Sequence, residues 1–212
     1  MRTAKATDAE TVEQAVAVLR DGGVVAYPTE TTYGLGCDPR NREALDKIYR
    51  IKNRPADKAL PLVADTFAQV EQYFLIPEAA RKLAEKYWPG PLSILLEPRP
   101  EHRKDFEQIL RDGLAAVRVS SNEFVRRLSS SYGFPLCATS ANKSGERACL
   151  LAQEVADAFG GNPVDEQPDL IVDGGVLAPS KPSTIVKIND DGLMEIVRQG
   201  SVSLFDKMDQ ES

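Results

Sequence analysis

Histidine is nearly absent from this chain: His102 is the only one in 212 residues, and it stands in the charged run PEHRKD. A lone histidine among charges reads as a solvated loop residue rather than a general base. A serine–histidine or cysteine–histidine pair then has almost nothing to be built from. Cysteine is scarce too. Cys37, Cys137 and Cys149 are odd in number and form no C-x-x-C pair. That argues against a disulfide framework or a zinc site and for small buried or half-buried thiols. No Gly-x-x-x-x-Gly-Lys-Ser/Thr occurs, and YGLGCD lacks the third glycine of a dinucleotide fingerprint, so any nucleotide is held by another cradle. The N-terminal MRTAKATDAETVEQ has no apolar signal-peptide core, and no apolar run reaches membrane-spanning length. Cytoplasmic residence, without a membrane partner, is the expectation.

What remains is ordinary for a soluble chain: 42% hydrophobic and 27% charged, enough to bury a sizeable core. A net charge of −6 argues against a protein whose task is to coat nucleic acid, although a local basic patch stays open. Val12, Ala15, Val16 and Leu19 recur at helical spacing behind a Thr7-x-x-Glu10 capping pattern. Further helices are expected at 41–52, 77–88, EFVRRLSSSYG and CLLAQEVADAFGG. Strands are expected at 24–28, LPLVA, 92–97, 115–119, 135–139 and DLIVDGG, and a closing hairpin turned at Asp190-Asp191-Gly192. The alternation implies an α/β chain with a mixed parallel and antiparallel sheet. One domain over 1–203 and a polar tail at 204–212 are expected, since no linker divides the chain.

Four stretches could carry chemistry. YPTETTYGLG (27–36) leaves a strand and runs into a loop with three threonine hydroxyls, and Gly34 and Gly36 would let backbone approach a ligand. Residues 40–58 hold seven Lys/Arg against three acids. Within them Lys52, Arg54 and Lys58 follow no helix face, because Pro55 disfavours helix at Arg54. A solvated charge run and a phosphate grip both fit that stretch. CATSANKSGE (137–146) offers Thr139, Ser140, Asn142 and Ser144 directly after a strand, where open α/β sheets bind ligands; a plain serine-rich turn fits as well. Arg118 interrupts the apolar AAVRV, and Arg198 sits in EIVRQG. Each must reach an edge or find an anionic partner, because unpaired burial is costly.

Taken in order, YPTETTYGLGCD, KNRPADKAL, WPGPLSILL, AAVRVSSN, ATSANKSG, PSTIVKI and VRQGSVS resemble the YrdC-like threonylcarbamoyl-AMP synthase family. The family's K-x-R and S-x-N signatures are matched by Lys52-Asn53-Arg54 and Ser140-Ala141-Asn142. The resemblance implies a twisted mixed sheet flanked by helices around a concave basic cleft. It implies an enzyme joining L-threonine, bicarbonate and ATP into threonylcarbamoyl-adenylate, which other proteins transfer to adenosine 37 of tRNA. By the same resemblance Lys52, Arg54, Ser140 and Asn142 form the catalytic set. Lys52, Arg54, Lys58, Ser140, Ala148 and Arg198 would contact ATP, with Ala148 contributing only backbone. Thr31, Arg118, Ala138 and Ser183 would contact threonine, Arg118 through the carboxylate. Mg²⁺ is expected to ride on the ATP phosphates without a protein ligand. Archaeal-type members carry asparagine at Lys58 and histidine at Val63; the lysine looks like the bacterial branch, in its short single-domain form. Two other readings stay open: a module binding tRNA or double-stranded RNA by shape, and a paralogue acting on another carboxylic substrate.

Overall fold

The computed structural model describes residues 1–55, 58–189 and 191–204. The first half of the chain forms β1 (Arg2–Lys5), α1 (Thr11–Arg20), β2 (Val25–Pro28), β3 (Tyr33–Gly36), α2 (Arg42–Lys52), β4 (Leu62–Ala64), α3 (Phe67–Tyr73), β5 (Phe74–Leu75), α4 (Glu78–Tyr87) and β6 (Leu92–Pro98). Then follow α5 (Arg103–Phe106), β7 (Ala115–Val119), α6 (Glu123–Tyr132), β8 (Leu136–Cys137), β9 (Thr139–Ser140) and α7 (Ala152–Phe159). Three strands close the order, β10 (Leu170–Asp173), β11 (Thr184–Ile188) and β12 (Met194–Arg198). They make two sheets, β1-β10-β2-β3-β9 and β12-β11-β6-β7-β4-β8, with β5 added at the end of β6. Parallel pairs (β1/β10, β2/β10, β4/β7, β6/β11) mix with antiparallel ones (β2/β3, β6/β7, β11/β12), so the expected mixed α/β sheet is borne out.

The segment 135–139 does not run as one strand. Leu136–Cys137 pairs with β4 in one sheet and Thr139–Ser140 pairs with β3 in the other, so the chain changes sheets at Ala138. The Ala138 amide donates to Pro61 O at 2.8 Å and the Cys137 amide to Cys37 O at 2.9 Å, which holds the crossing. Serine and threonine side chains just past it therefore stand where the two sheets meet.

Helix α2 brings the basic segment to the same place. The Asn41 side chain caps it by accepting from the Ala44 amide at 3.0 Å. Its C-terminus ends at Asn53 in the left-handed region, φ 46°, with the Asn53 and Arg54 amides bonded back to Arg50 O and Tyr49 O. Leu45, Ile48 and Ile51 lie in the core, as their spacing predicts. Helix α1 starts at Thr11, not Thr7, and Glu10 makes no side-chain cap bond. The Thr11 hydroxyl instead donates to Lys5 O at 2.7 Å, because β1, unforeseen from its polar sequence RTAK, ends there and turns occupy 6–10. The three cysteines are buried. His102 is half-buried rather than solvated: its ring meets Asp105 Oδ2 at 3.0 Å and packs edge-on against Tyr73 at 4.8 Å. Asp190 of the hairpin turn and residues 205–212 of the expected tail lie outside the described residues. Among the described residues, no helix is long and apolar enough to cross a membrane.

Candidate functional site

The turn between β2 and β3 is built on Thr29. Its Oγ1 accepts from the Thr31 and Thr32 amides at 3.1 and 3.2 Å, lies 3.0 Å from Thr31 Oγ1, and donates to Thr32 O at 2.7 Å. The turn projects Glu30 toward β7, where Glu30 Oε1 accepts from Arg118 Nε at 2.7 Å and Oε2 accepts from Ser120 Oγ. Both side chains of the ion pair are nearly sealed, 5% exposed for Arg118 and 8% for Glu30. Burial alone would raise the Glu30 carboxyl, but the Arg118 charge and the Ser120 hydrogen bond outweigh it and hold it below its ordinary range. Of the two fates open to an arginine inside AAVRV, the structure selects the anionic partner.

Gly36 serves the protein rather than a ligand. A Cβ there would stand 2.4 Å from the Tyr27 ring and 2.7 Å from Cys137 O. Strand β3 thus runs over Tyr27 at a distance only glycine permits, and residues expected to be loop are strand.

Lys52 is the last residue of α2 and is 2% exposed. Its Nζ donates to the carbonyl oxygens of Ser140 and Asn142, the latter at 2.8 Å, while its own carbonyl accepts from the Ser144 amide at 2.9 Å. Burial, with the Arg54 charge second, lowers the ammonium to about 7. Of the three loop cations, Arg54 and Lys58 stand on irregular backbone and Lys52 on the helix. With Leu45 and Ile48 it forms an i, i+3, i+7 set, so helical periodicity turns it inward.

Asn142 braces the same loop from the other side. Its Nδ2 donates to Lys143 O and Glu146 O, both at 2.8 Å, and Oδ1 is buried without a hydrogen-bond partner among the described residues. Its donors are spent on the loop, which leaves an acceptor.

A concave pocket of about 490 Å³ opens where the two sheets meet. Eight of the eleven residues assigned by the resemblance line it: Thr31, Arg54, Lys58, Arg118, Ala138, Ser140, Ser183 and Arg198. Among the described residues of its lining, Lys52, Asn142 and Ala148 are not found; the first two stand behind the loop that supplies Ser140. Arg54 is anchored by Nη2 to Ala59 O at 3.0 Å and by Nη1 to Thr139 Oγ1 at 3.3 Å. Arg198 donates from Nε and Nη2 to Ser183 O and from Nη2 to Ser183 Oγ at 3.0 Å. Burial first, then the charges of Arg118 and Arg54, push its guanidinium below the ordinary value. No carboxylate pairs with Arg198 among the described residues. Its charge is left for a ligand.

Sequence reasoning missed several lining residues: the charged Arg111, Asp112 and Lys187, and the apolar Leu95, Leu114, Ala116, Ile185 and Val197. Among the described residues the lining holds six Lys/Arg and one acid, Asp112. It also missed Glu30, although the demand of Arg118 for an anion was a signal pointing to some acid.

A family model described as "Telomere recombination", covering Sua5, YciO and YrdC proteins, matches residues 17–200. The chain belongs to this family. It is 38% identical over 192 residues to the threonylcarbamoyl-AMP synthase of Vibrio vulnificus (strain YJ016), covering 89% of this chain and 98% of that protein. It is 37% identical over 194 residues to the enzyme of that name from Klebsiella pneumoniae, covering 90% and 96%. Among solved structures, P. abyssi Sua5 complexed with L-threonine is similar with a TM-score of 0.80 at 31% identity; the match covers 94% of this chain and 56% of that one. E. coli YciO is similar with a TM-score of 0.81 at 27% identity, with 96% of both chains covered. This chain spans a little over half of the Sua5 chain and nearly all of YciO and the curated synthases.

Proposed function

We propose that the protein is an L-threonylcarbamoyladenylate synthase: it joins L-threonine, bicarbonate and ATP, releases pyrophosphate, and supplies the threonylcarbamoyl group for adenosine 37 of tRNA. One observation carries the reading. Arg54 and Lys58 from one loop, Arg118 and Arg198, three segments distant in the chain, line one pocket together with the hydroxyls of Thr31, Ser140 and Ser183. The names of the curated relatives, at 37–38% identity over nearly their whole length, support it, as does the threonine complex of a 31% identical neighbour.

The chemistry asks for such a pocket. A carbamate oxygen of the threonine adduct attacks the α-phosphorus of ATP; the new O–P bond forms as the bond to the pyrophosphate oxygen breaks. Both reactants are anions, so catalysis is mainly positioning and fixed positive charge. A carbamate is already ionised, so no protein base is required, which suits a chain with one histidine remote from the pocket lining. In this reading Arg118 takes the threonine carboxylate, Thr31 and Ser183 face its polar groups, and Ala138, whose amide is spent on Pro61, offers its carbonyl. Arg54, Lys58 and Arg198 face the nucleotide phosphates. Ala148 serves ATP through backbone alone. Lys52 and Asn142 fix the loop that presents Ser140, the lysine holding two of its carbonyls.

As to magnesium, among the described residues the lining offers a single carboxylate, Asp112, and no cluster of three potential ligands occurs. That donor set fits an ion that arrives on the ATP phosphates and keeps its waters, so ATP is written as its magnesium complex. The reaction class is nucleotidyl transfer, in the cytoplasm, with separate proteins passing the adenylate to tRNA. Mass spectrometry of the reaction with ¹³C-bicarbonate tests the proposal. Label in an adduct containing threonine and AMP is the expected result; AMP without such an adduct, or an adduct with a different carboxylic acid, overturns it.

A further inference from the structure

Arg118 is held by a nearly sealed carboxylate. It stands inside β7, and among the described residues its side chain makes one hydrogen bond, from Nε to Glu30 Oε1. The second carboxylate oxygen is occupied by Ser120 Oγ, so Glu30 is fastened at both oxygens by groups at the C-terminal end of β7. The remaining donors of Arg118, on Nη1 and Nη2, have no partner among the described residues, and neither atom is a sealed, unsatisfied one. They belong to a side chain lining the pocket. A planar guanidinium fixed through Nε by a buried carboxylate can only turn its Nη end to the open side, and that end matches a carboxylate in two-pronged geometry.

We infer that Glu30 is a positioning residue of the amino-acid subsite: by holding Arg118 at Nε it aims the free Nη pair at the α-carboxylate of the incoming amino acid. The inference rests on the assignment of Arg118 to the threonine carboxylate made above. Charge alone would not place Glu30 here, because an acid beside an anion-binding arginine weakens the attraction. Two things offset that loss. A buried arginine without a partner is costly in the empty enzyme, and a long side chain already ordered has less freedom to lose when substrate arrives. Uncompensated charge is supplied separately by Arg198. The same Thr29-centred turn carries both Glu30 and Thr31, so the orienting carboxylate and one pocket hydroxyl are set by a single local structure.

The test is Glu30→Gln, with binding of L-threonine and of L-threonine amide, which lacks the carboxylate charge, followed by calorimetry, alongside KM for threonine and for ATP and thermal unfolding. Wild type should prefer threonine to its amide. In Glu30→Gln, KM for threonine should rise about tenfold, the weight of one charge-assisted hydrogen bond, with KM for ATP within about twofold and the preference over the amide reduced. Were Glu30 only a charge brake, the neutral glutamine would tighten threonine binding. Were it only a structural brace, thermal stability would drop with the preference intact. Either outcome overturns the inference. In an Arg118→Lys background, where no fork exists, adding Glu30→Gln should change KM for threonine less than about twofold; a full additive loss overturns it too. If Glu30→Gln does not fold, Ser120→Ala, which frees only Oε2, takes its place, with a threefold or larger rise in KM for threonine expected and no rise contradicting. A wild type that does not distinguish threonine from its amide removes the Arg118 assignment itself. A wild type that does, beside a Glu30→Gln protein that distinguishes them equally, removes only the role of Glu30.

Discussion

Lys52 and Arg54 are two positions apart and do different work. Arg54 lines the pocket, whereas Lys52 is buried against the carbonyls of Ser140 and Asn142. Arg54→Ala should lower activity by more than about 10²-fold, the weight of one electrostatic group at a transition state, and Lys52→Ala by a similar factor through the loop that presents Ser140. Both should lower the unfolding temperature: Lys52→Ala leaves the Asn142 carbonyl without its lysine donor and takes one of two donors from Ser140 O, and Arg54→Ala gives up the bonds to Ala59 O and Thr139 Oγ1. The folded value of Lys52, about 7, lies below its ordinary 10.5. Between those values the unfolded chain holds more protons, so the lysine's contribution is complete above 10.5 and is lost as pH falls through 7. The stability difference between wild type and Lys52→Met should therefore be larger at pH 9 than at pH 6, read by thermal unfolding; a pH-independent difference would contradict this placement of the ammonium. At this scale the sequence was partly legible. That Arg118 needs an anion could be read from an arginine within AAVRV. That Glu30 supplies it could not, because 88 residues separate them and only the tertiary fold brings them together. The burial of Lys52 was legible in the periodicity of Leu45 and Ile48 but was masked by neighbouring charges.

The element least visible in sequence is β3. Its glycines and the preceding threonines carry the marks of a loop, yet the pairing Val25↔Gly36 to Pro28↔Tyr33 is continuous. Glycine is tolerated because the strand must pass against Tyr27, whose hydroxyl donates to Cys137 O at 2.9 Å. Gly36→Ala forces a methyl group into that contact and is expected to destabilise by about 1–3 kcal/mol in chemical denaturation, the usual cost of overpacking; unchanged stability would mean β3 can move away from the ring. The helices, by contrast, were legible wherever an apolar stripe and an end signal agreed, as in α2 with Asn41 and Asn53. The exception is α1, whose start was misplaced because β1, a polar edge strand, gives no apolar alternation to read.

Across the whole molecule, the net charge of −6 and a pocket lining with, among the described residues, six Lys/Arg and one acid describe different things: the first governs the average surface, the second is local. The fold makes that locality by moving the chain between sheets at Ala138, so segments near residues 31, 54, 118, 140, 183 and 198 share one concavity. Alternating strands and helices disclosed the α/β class; the sheet change could not be read, because 135–139 is continuously apolar up to its last residue. The measurement that tests this convergence most directly is pyrophosphate release by the pure protein with magnesium ATP and bicarbonate, with and without L-threonine. The expected result is release that depends on threonine and is largely lost in Arg118→Ala at threonine concentrations that saturate the wild type. Release independent of threonine, or none with all three substrates present, would contradict a single pocket in which the two anions are made to react.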